Sequence, residues 1–138
     1  MISRRELDYL RAVEECCRVS GEARLKEVSR ALRVKPPSAL EALRRLIVKG
    51  LVARTATGGY VLTERGLEVL EVAVRRHRIL ETFLVVYAGL SAEEACAYAA
   101  RFDVYVPDEL VDHLCKLMGH PRTCPHGRLI PSGRCHDD

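Results

Sequence analysis

Residues 33–52 read RVKPPSALEALRRLIVKGLV. Ala39, Leu43, Leu46 and Ile47 recur at helical spacing, so the stretch predicts a helix over about 38–49. A proline disfavours helical backbone in the residue before it, which puts Pro36 outside this helix and Pro37 at its first position. Ser38, Glu41 and Arg45 share the face opposite the apolar one, flanked by Arg44 and Lys49. An abrupt, proline-set start and a cationic face are the features this helix has to explain.

Working outward, residues 4–19 place Leu7, Leu10, Val13 and Cys17 on one helical face, with Gly21 as the stop. Leu25, Val28, Ala31 and Leu32 mark a second, shorter helix. A helix, a short turn and a cationic helix make a helix-turn-helix. Downstream, LVARTATGGYVLT predicts strands over 51–55 and 60–62 with glycines at the tip of the hairpin. Three helices and a hairpin describe a winged helix-turn-helix. Thr63 can cap a long helix over 64–88 that Gly89 ends. SAEE at 91–94 is a capping box for a helix to about Arg101, and a last helix runs from Pro107 to Gly119. The remaining residues hold prolines and glycines without periodicity, so they predict an irregular tail. The expected organisation is a winged helix-turn-helix DNA-binding domain over 1–63, a helical metal-binding and dimerisation domain over 64–119, and a Cys/His-containing tail over 120–138. The fold class is mainly α.

Charge is distributed unevenly along the chain. Residues 1–78 carry 17 Lys/Arg against 10 Asp/Glu, whereas residues 79–138 carry 5 against 9. A basic front half predicts that this part meets a polyanion, and a helix entering the major groove suits double-stranded DNA. Ser38, Glu41 and Arg45 are placed for base edges, with Lys35 and Pro37 at the leading end of the same surface. Arg44, Lys49, Arg54, Thr55 and Thr57 suit phosphates. Glu41 is the dissenting residue, since a carboxylate near phosphates is repelled unless it reads a cytosine amino group. No apolar run reaches the length of a membrane span, and the first residues lack a signal-type apolar region, so a cytoplasmic protein is expected. No nucleophile–base pair and no phosphate loop is present, so neither an enzyme nor a small-molecule substrate is expected. The chain contains no Asn and no Gln, a depletion that fits a thermophile. In such organisms some of its six cysteines are candidates for disulfides.

VKPPSALEALRRLIVKGLV, the wing ending YVLTERG, RRHRILETFL and the tail GHPRTCPHGRLIP together resemble the diphtheria-toxin-repressor family, including its manganese-sensing branch. The resemblance runs from about Leu7 to Pro131 and implies a short form without the SH3-like third domain. It further implies a metal-dependent transcriptional regulator that binds operator DNA and is a homodimer through the helices after the wing.

The family's His-x-x-x-Glu falls on His77 and Glu81, which an i, i+4 spacing puts on one helical face. Cys96 stands where some members have a second histidine. Imidazole, carboxylate and thiolate together suit Zn²⁺ or Fe²⁺, within a family range of Fe, Mn or Zn. The family's second site looks altered: its Cys/Glu-x-x-Glu-His reads ARFDV here, where Ala100 and Val104 cannot ligate and only Asp103 can. Asp8 matches an aspartate of the manganese-sensing members, but their second acid is Arg11 here. Arg11 is therefore expected to take the metal's place by pairing with Asp8 and Asp103. In the tail, Cys124 and His126 are further ligand candidates, and CPHG also fits a local turn. Cys115 with Cys124 or Cys135 is expected to form a disulfide, ahead of a zinc site and then an iron–sulfur cluster. Cys16 and Cys17 offer a redox-sensitive thiol. Two alternatives to a metal-responsive regulator stay open: a DNA binder triggered by cysteine oxidation, and a winged-helix adaptor or metal-binding protein without specific DNA recognition.

Overall fold

Residue order dictates a helix wherever apolar positions recur and a cap is at hand, and the structure follows those signals. It is a computed structural model describing residues 2–136; Asp137 and Asp138, the end of the expected tail, lie outside the described residues. These residues form two compact units, divided after Leu70.

In the first unit, α1 spans Arg4–Ser20, α2 Leu25–Leu32 and α3 Pro36–Val48. Ser3 and Glu6 close a reciprocal capping box at the start of α1, and Gly21 ends it in left-handed backbone. Pro36 and Pro37 both lie inside α3, against the expectation that Pro36 would stand outside. The first amides of a helix have no intrahelical acceptor, so two prolines there remove no hydrogen bond. Strands β1 (Val52–Arg54) and β2 (Tyr60–Leu62) pair antiparallel with Val52 opposite Leu62. Ala23, just before α2, bridges Tyr60 and ties the wing back to the helices. Leu10, Val13, Val28, Ala39, Leu43 and Val52 are buried almost completely, so every element of this unit contributes to one core.

The long helix α4 spans Glu64–Ala88. Thr63 caps it, its hydroxyl accepting from the Gly66 amide at 3.0 Å and donating to the Gly50 carbonyl at 2.6 Å. A Cβ on Gly66 would sit 2.1 Å from the Leu51 carbonyl oxygen, so only glycine lets the helix start this close to the wing.

In the second unit, α5 spans Ala92–Phe102 behind the Ser91–Glu94 capping box, and α6 spans Asp108–Leu117. A short 3₁₀ turn over Asp103–Tyr105 separates them, and another covers Arg134–His136. The tail is irregular in backbone but not detached. Cys124, Ile130 and Cys135 are buried in one cluster with Ile79, Val111 and Cys115. No described helix is long and apolar enough to cross a membrane.

Candidate metal centre and DNA-facing surface

In the second unit, the i, i+4 register of α4 sets His77 and Glu81 on one face, and the capped α5 brings Cys96 to them. One donor atom from each of the three lies within 4.8 Å of the others. His77 Nε2 stands 3.4 Å from Cys96 Sγ and 3.9 Å from Glu81 Oε2. Cys124 and His126 approach the same carboxylate from the tail, with His126 Nδ1 at 3.4 Å from Glu81 Oε2. Glu81 is only 2% exposed, and its Oε2 makes no hydrogen bond despite the two nearby imidazoles. A buried carboxylate oxygen without a partner costs free energy, on the order of 1–3 kcal/mol. Four donor side chains, those of His77, Cys96, Cys124 and His126, converge on the Glu81 carboxylate, an arrangement that fits a divalent cation. Nitrogen, oxygen and sulfur donors together suit Zn²⁺ or Fe²⁺ among the first-row ions.

Asp103, expected as a ligand, sits elsewhere in the arrangement. Its Oδ2 lies 2.9 Å from His77 Nδ1, and the residue is buried. When Nδ1–H donates to this carboxylate, Nε2 keeps its lone pair directed at Glu81 and Cys96. This is how a carboxylate orients a metal-binding histidine from behind. Nothing in the spacing of the sequence announces that role, because α5 and the 3₁₀ turn after it deliver Asp103.

Asp8 also departs from expectation. Its carboxylate lies 3.9 Å from Arg4, one turn away on α1, and among the described residues it makes no ion pair with Arg11.

Burial pushes the Cys96 thiol up, and the Glu81 carboxylate adds to the effect. A thiolate at Cys96 therefore needs a cation beside it. Burial likewise raises Cys16 and Cys17, and Cys17 Sγ donates to the Tyr60 carbonyl at 3.5 Å. All six cysteines are free, against the expected Cys115 disulfide.

On the first unit, α3 buries Ala39, Leu43 and Leu46 and exposes Lys35, Pro37, Ser38, Glu41, Arg44, Arg45 and Lys49. Glu41 accepts from Arg45 at 2.7 Å, an exposed i, i+4 pair worth about 0.3–0.5 kcal/mol and easily broken. This explains the dissenting carboxylate: it parks the Arg45 guanidinium along the helix. Lys49 pairs with Glu6 of α1. Lys35 and Arg44 make no ion pair among the described residues.

The wing hydroxyls have partners within the unit. The hydroxyls of Thr55 and Thr57 donate to the Glu22 carboxylate, Thr57 at 2.7 Å. Arg24 pairs with Glu22 at 2.7 Å and donates to the Thr57 carbonyl at 2.8 Å. The two threonine hydroxyls hold the Glu22 carboxyl below its usual range. These hydroxyls are thus engaged in a short polar latch between the wing and Glu22. Arg54 lies over the Tyr60 ring at 4.7 Å and donates to the Gly58 carbonyl.

Residues 63–132, which carry the whole donor set around Glu81, match the family described as "Iron dependent repressor, metal binding and dimerisation domain". The chain is 34% identical over 111 residues to the transcriptional regulator MntR of Escherichia coli, covering 79% of this chain and 71% of that protein. The chain belongs to the iron-dependent repressor family. This repressor-family chain is also similar to a hypothetical protein, SSo2273, from Sulfolobus solfataricus. Its crystal structure superposes with a TM-score of 0.85 at 33% identity, covering 95% of this chain and all of that one. ScaR with bound Zn²⁺ superposes with a TM-score of 0.80 at 31% identity, and this repressor-family chain spans 59% of its length. The fold is therefore the winged helix-turn-helix and helical arrangement of the metal-dependent transcriptional regulators.

Proposed function

We propose that this protein is a homodimeric, DNA-binding transcriptional regulator of the metal-responsive type, with an altered metal site. The observation that carries the reading is the buried, orphaned Glu81 Oε2 ringed by His77, Cys96, Cys124 and His126. A divalent cation held there would supply the positive charge that the carboxylate lacks. His77 offers Nε2 because Asp103 holds Nδ1, and Cys96 offers sulfur once its proton has left. The arrangement ties α4, α5 and the tail of the second unit together, so its occupancy acts first on the stability and dimer geometry of that unit.

The second metal site of the family is reduced. Ala100 and Val104 bring no donor, Asp103 serves His77, and Asp8 serves Arg4. DNA binding in this reading rests on the first unit, through the exposed face of α3 and the Glu22-latched wing, with no requirement for Mn²⁺ or Fe²⁺. Exposed Val86, Tyr87, Tyr105 and Leu117 in the second unit favour a homodimer through that unit, which would match a two-fold operator.

The test is binding to an operator selected from random duplex DNA. Arg45→Ala should cost about 1–3 kcal/mol and blur preference at one base pair. Lys49→Ala should weaken all sequences alike and lower the salt slope by about one. Equal affinity of the unaltered chain for selected and random duplexes would refute specific DNA recognition and leave an adaptor or metal-binding protein.

A further inference from the structure

A second group of donors lies in the same unit, and the proposed function does not use it. Cys115 near the end of α6, His120 three residues past the last residue of that helix, and the adjacent Cys135 and His136 each offer one atom. All four atoms lie within 4.8 Å of one another. Cys115 Sγ stands 3.4 Å from His120 Nδ1 and 3.3 Å from His136 Nε2, and Cys135 Sγ stands 3.7 Å from His120 Nδ1. With Zn–S near 2.3 Å and Zn–N near 2.0–2.1 Å, tetrahedral sulfur and nitrogen ligands lie about 3.6 Å apart. The observed separations bracket that value. We propose that Cys115, His120, Cys135 and His136 bind one structural Zn²⁺ per chain, closing the tail onto α6 and α4.

The surroundings are built for such a site. His120 holds a left-handed backbone at φ 55°, strained for a residue with a side chain, and its amide donates to the Cys115 carbonyl at 2.9 Å. In this conformation the His120 imidazole stands beside the Cys115 thiol. Arg75 of α4 donates to Cys135 Sγ at 3.2 Å from a buried position and pairs with Asp112 of α6 at 2.8 Å. Hydrogen bonds of this kind from outside the ligand set favour the thiolate form. A Cβ on Gly133 would sit 2.2 Å from the Arg75 guanidinium carbon, so the tail lies directly on that donor. Charge is balanced as well. Two thiolates neutralise the dication, Asp112 balances Arg75, and binding releases two thiol protons.

The geometry separates zinc from its rivals. Both sulfurs are free and each faces an imidazole nitrogen. An iron–sulfur cluster with two cysteine and two histidine ligands places the histidines on one iron and the cysteines on the other. Sulfur and nitrogen here are interleaved at single-ion distances. The four-donor set leaves no open position, as in structural rather than catalytic zinc sites.

The test uses the full chain stripped of metal under reducing conditions and reloaded with Zn²⁺ or Co²⁺. One zinc per chain should survive dialysis against a chelator in the unaltered chain and in Cys96→Ser. That zinc should be lost in Cys135→Ser and in His136→Ala, the second changing an exposed side chain whose loss leaves the core intact. With Co²⁺ in the Cys96→Ser, Cys124→Ser background, the thiolate-to-cobalt absorption should fall by half or more on adding Cys135→Ser, as one of two thiolates is removed and the remaining donors hold the ion less tightly. No chelator-resistant zinc, or zinc that persists unchanged in both Cys135→Ser and His136→Ala, overturns the proposal. So does a Cys115–Cys135 disulfide in freshly purified, metal-free chain.

Discussion

The two donor clusters of the second unit share a helical framework but differ in kind. The Glu81 cluster mixes carboxylate, imidazole and thiol, borrows orientation from Asp103, and includes the exposed His126. The Cys115 cluster has two thiols and two imidazoles within 4.8 Å of one another, backed by Arg75. Mixed donors around an unsatisfied carboxylate suit an ion that comes and goes, whereas a closed four-donor set suits one that stays. One unit can thus hold a responsive site and a structural one, distinguished by donor chemistry rather than by position.

The contrast breaks most visibly at Glu81. Glu81→Leu should abolish metal binding at its own cluster while leaving chelator-resistant zinc untouched. In chelated protein the same change should raise the melting temperature, since it removes an unsatisfied buried oxygen costing about 1 kcal/mol or more. The sign of its effect on stability should therefore reverse when the responsive metal is added. Calorimetry with and without metal reads this directly, and a destabilised chelated variant would mean that Glu81 has partners of its own.

Asp103→Asn gives a smaller effect at the same cluster. It preserves shape but weakens the hold on His77 Nδ1, so metal affinity should fall about 10–100-fold, measured by competition with a chelating dye. If affinity is unchanged, the imidazole is oriented by something other than Asp103.

The smallest effect per step concerns pH. Burial and Glu81 push the Cys96 thiol up, so the thiol is protonated in the chelated protein near neutrality and must lose that proton to ligate. Metal affinity should then rise with pH, by about tenfold per unit for one proton released. Cys96→Ser should flatten the neutral part of this profile. A profile already flat in the unaltered chain would remove Cys96 from the ligand set.

What the sequence made legible follows the range of the interactions involved. Local signals gave α2 its full extent, from Leu25 to Leu32, and α4 its bounds, from Glu64 to Ala88. Each depends only on caps, period and a stop within a few residues. The His77–Glu81 pair was readable because both lie on one helix, and resemblance brought Cys96 to it. Asp103 behind His77, Glu22 beneath the wing threonines and Arg75 behind Cys135 were not readable, because each contact joins residues far apart in sequence. The tail was the least legible region. Its spacing resembles no ribbon motif, and only the folded path of residues 120–136 shows that adjacent Cys135 and His136 meet Cys115 and His120. The prolines of α3 misled in a smaller way, since the rule against helix before proline yields in a first turn that needs no amide.

The most direct test of the account as a whole is an anisotropy titration of selected operator DNA with chelated and metal-reloaded protein. DNA recognition is assigned to the first unit and metal response to the Glu81 cluster, so affinity and salt dependence should persist when that cluster is stripped. The reloaded protein should gain thermal stability instead. A chelated chain that loses the operator and regains it with Mn²⁺ or Fe²⁺ would contradict the assignment and restore a second regulatory site.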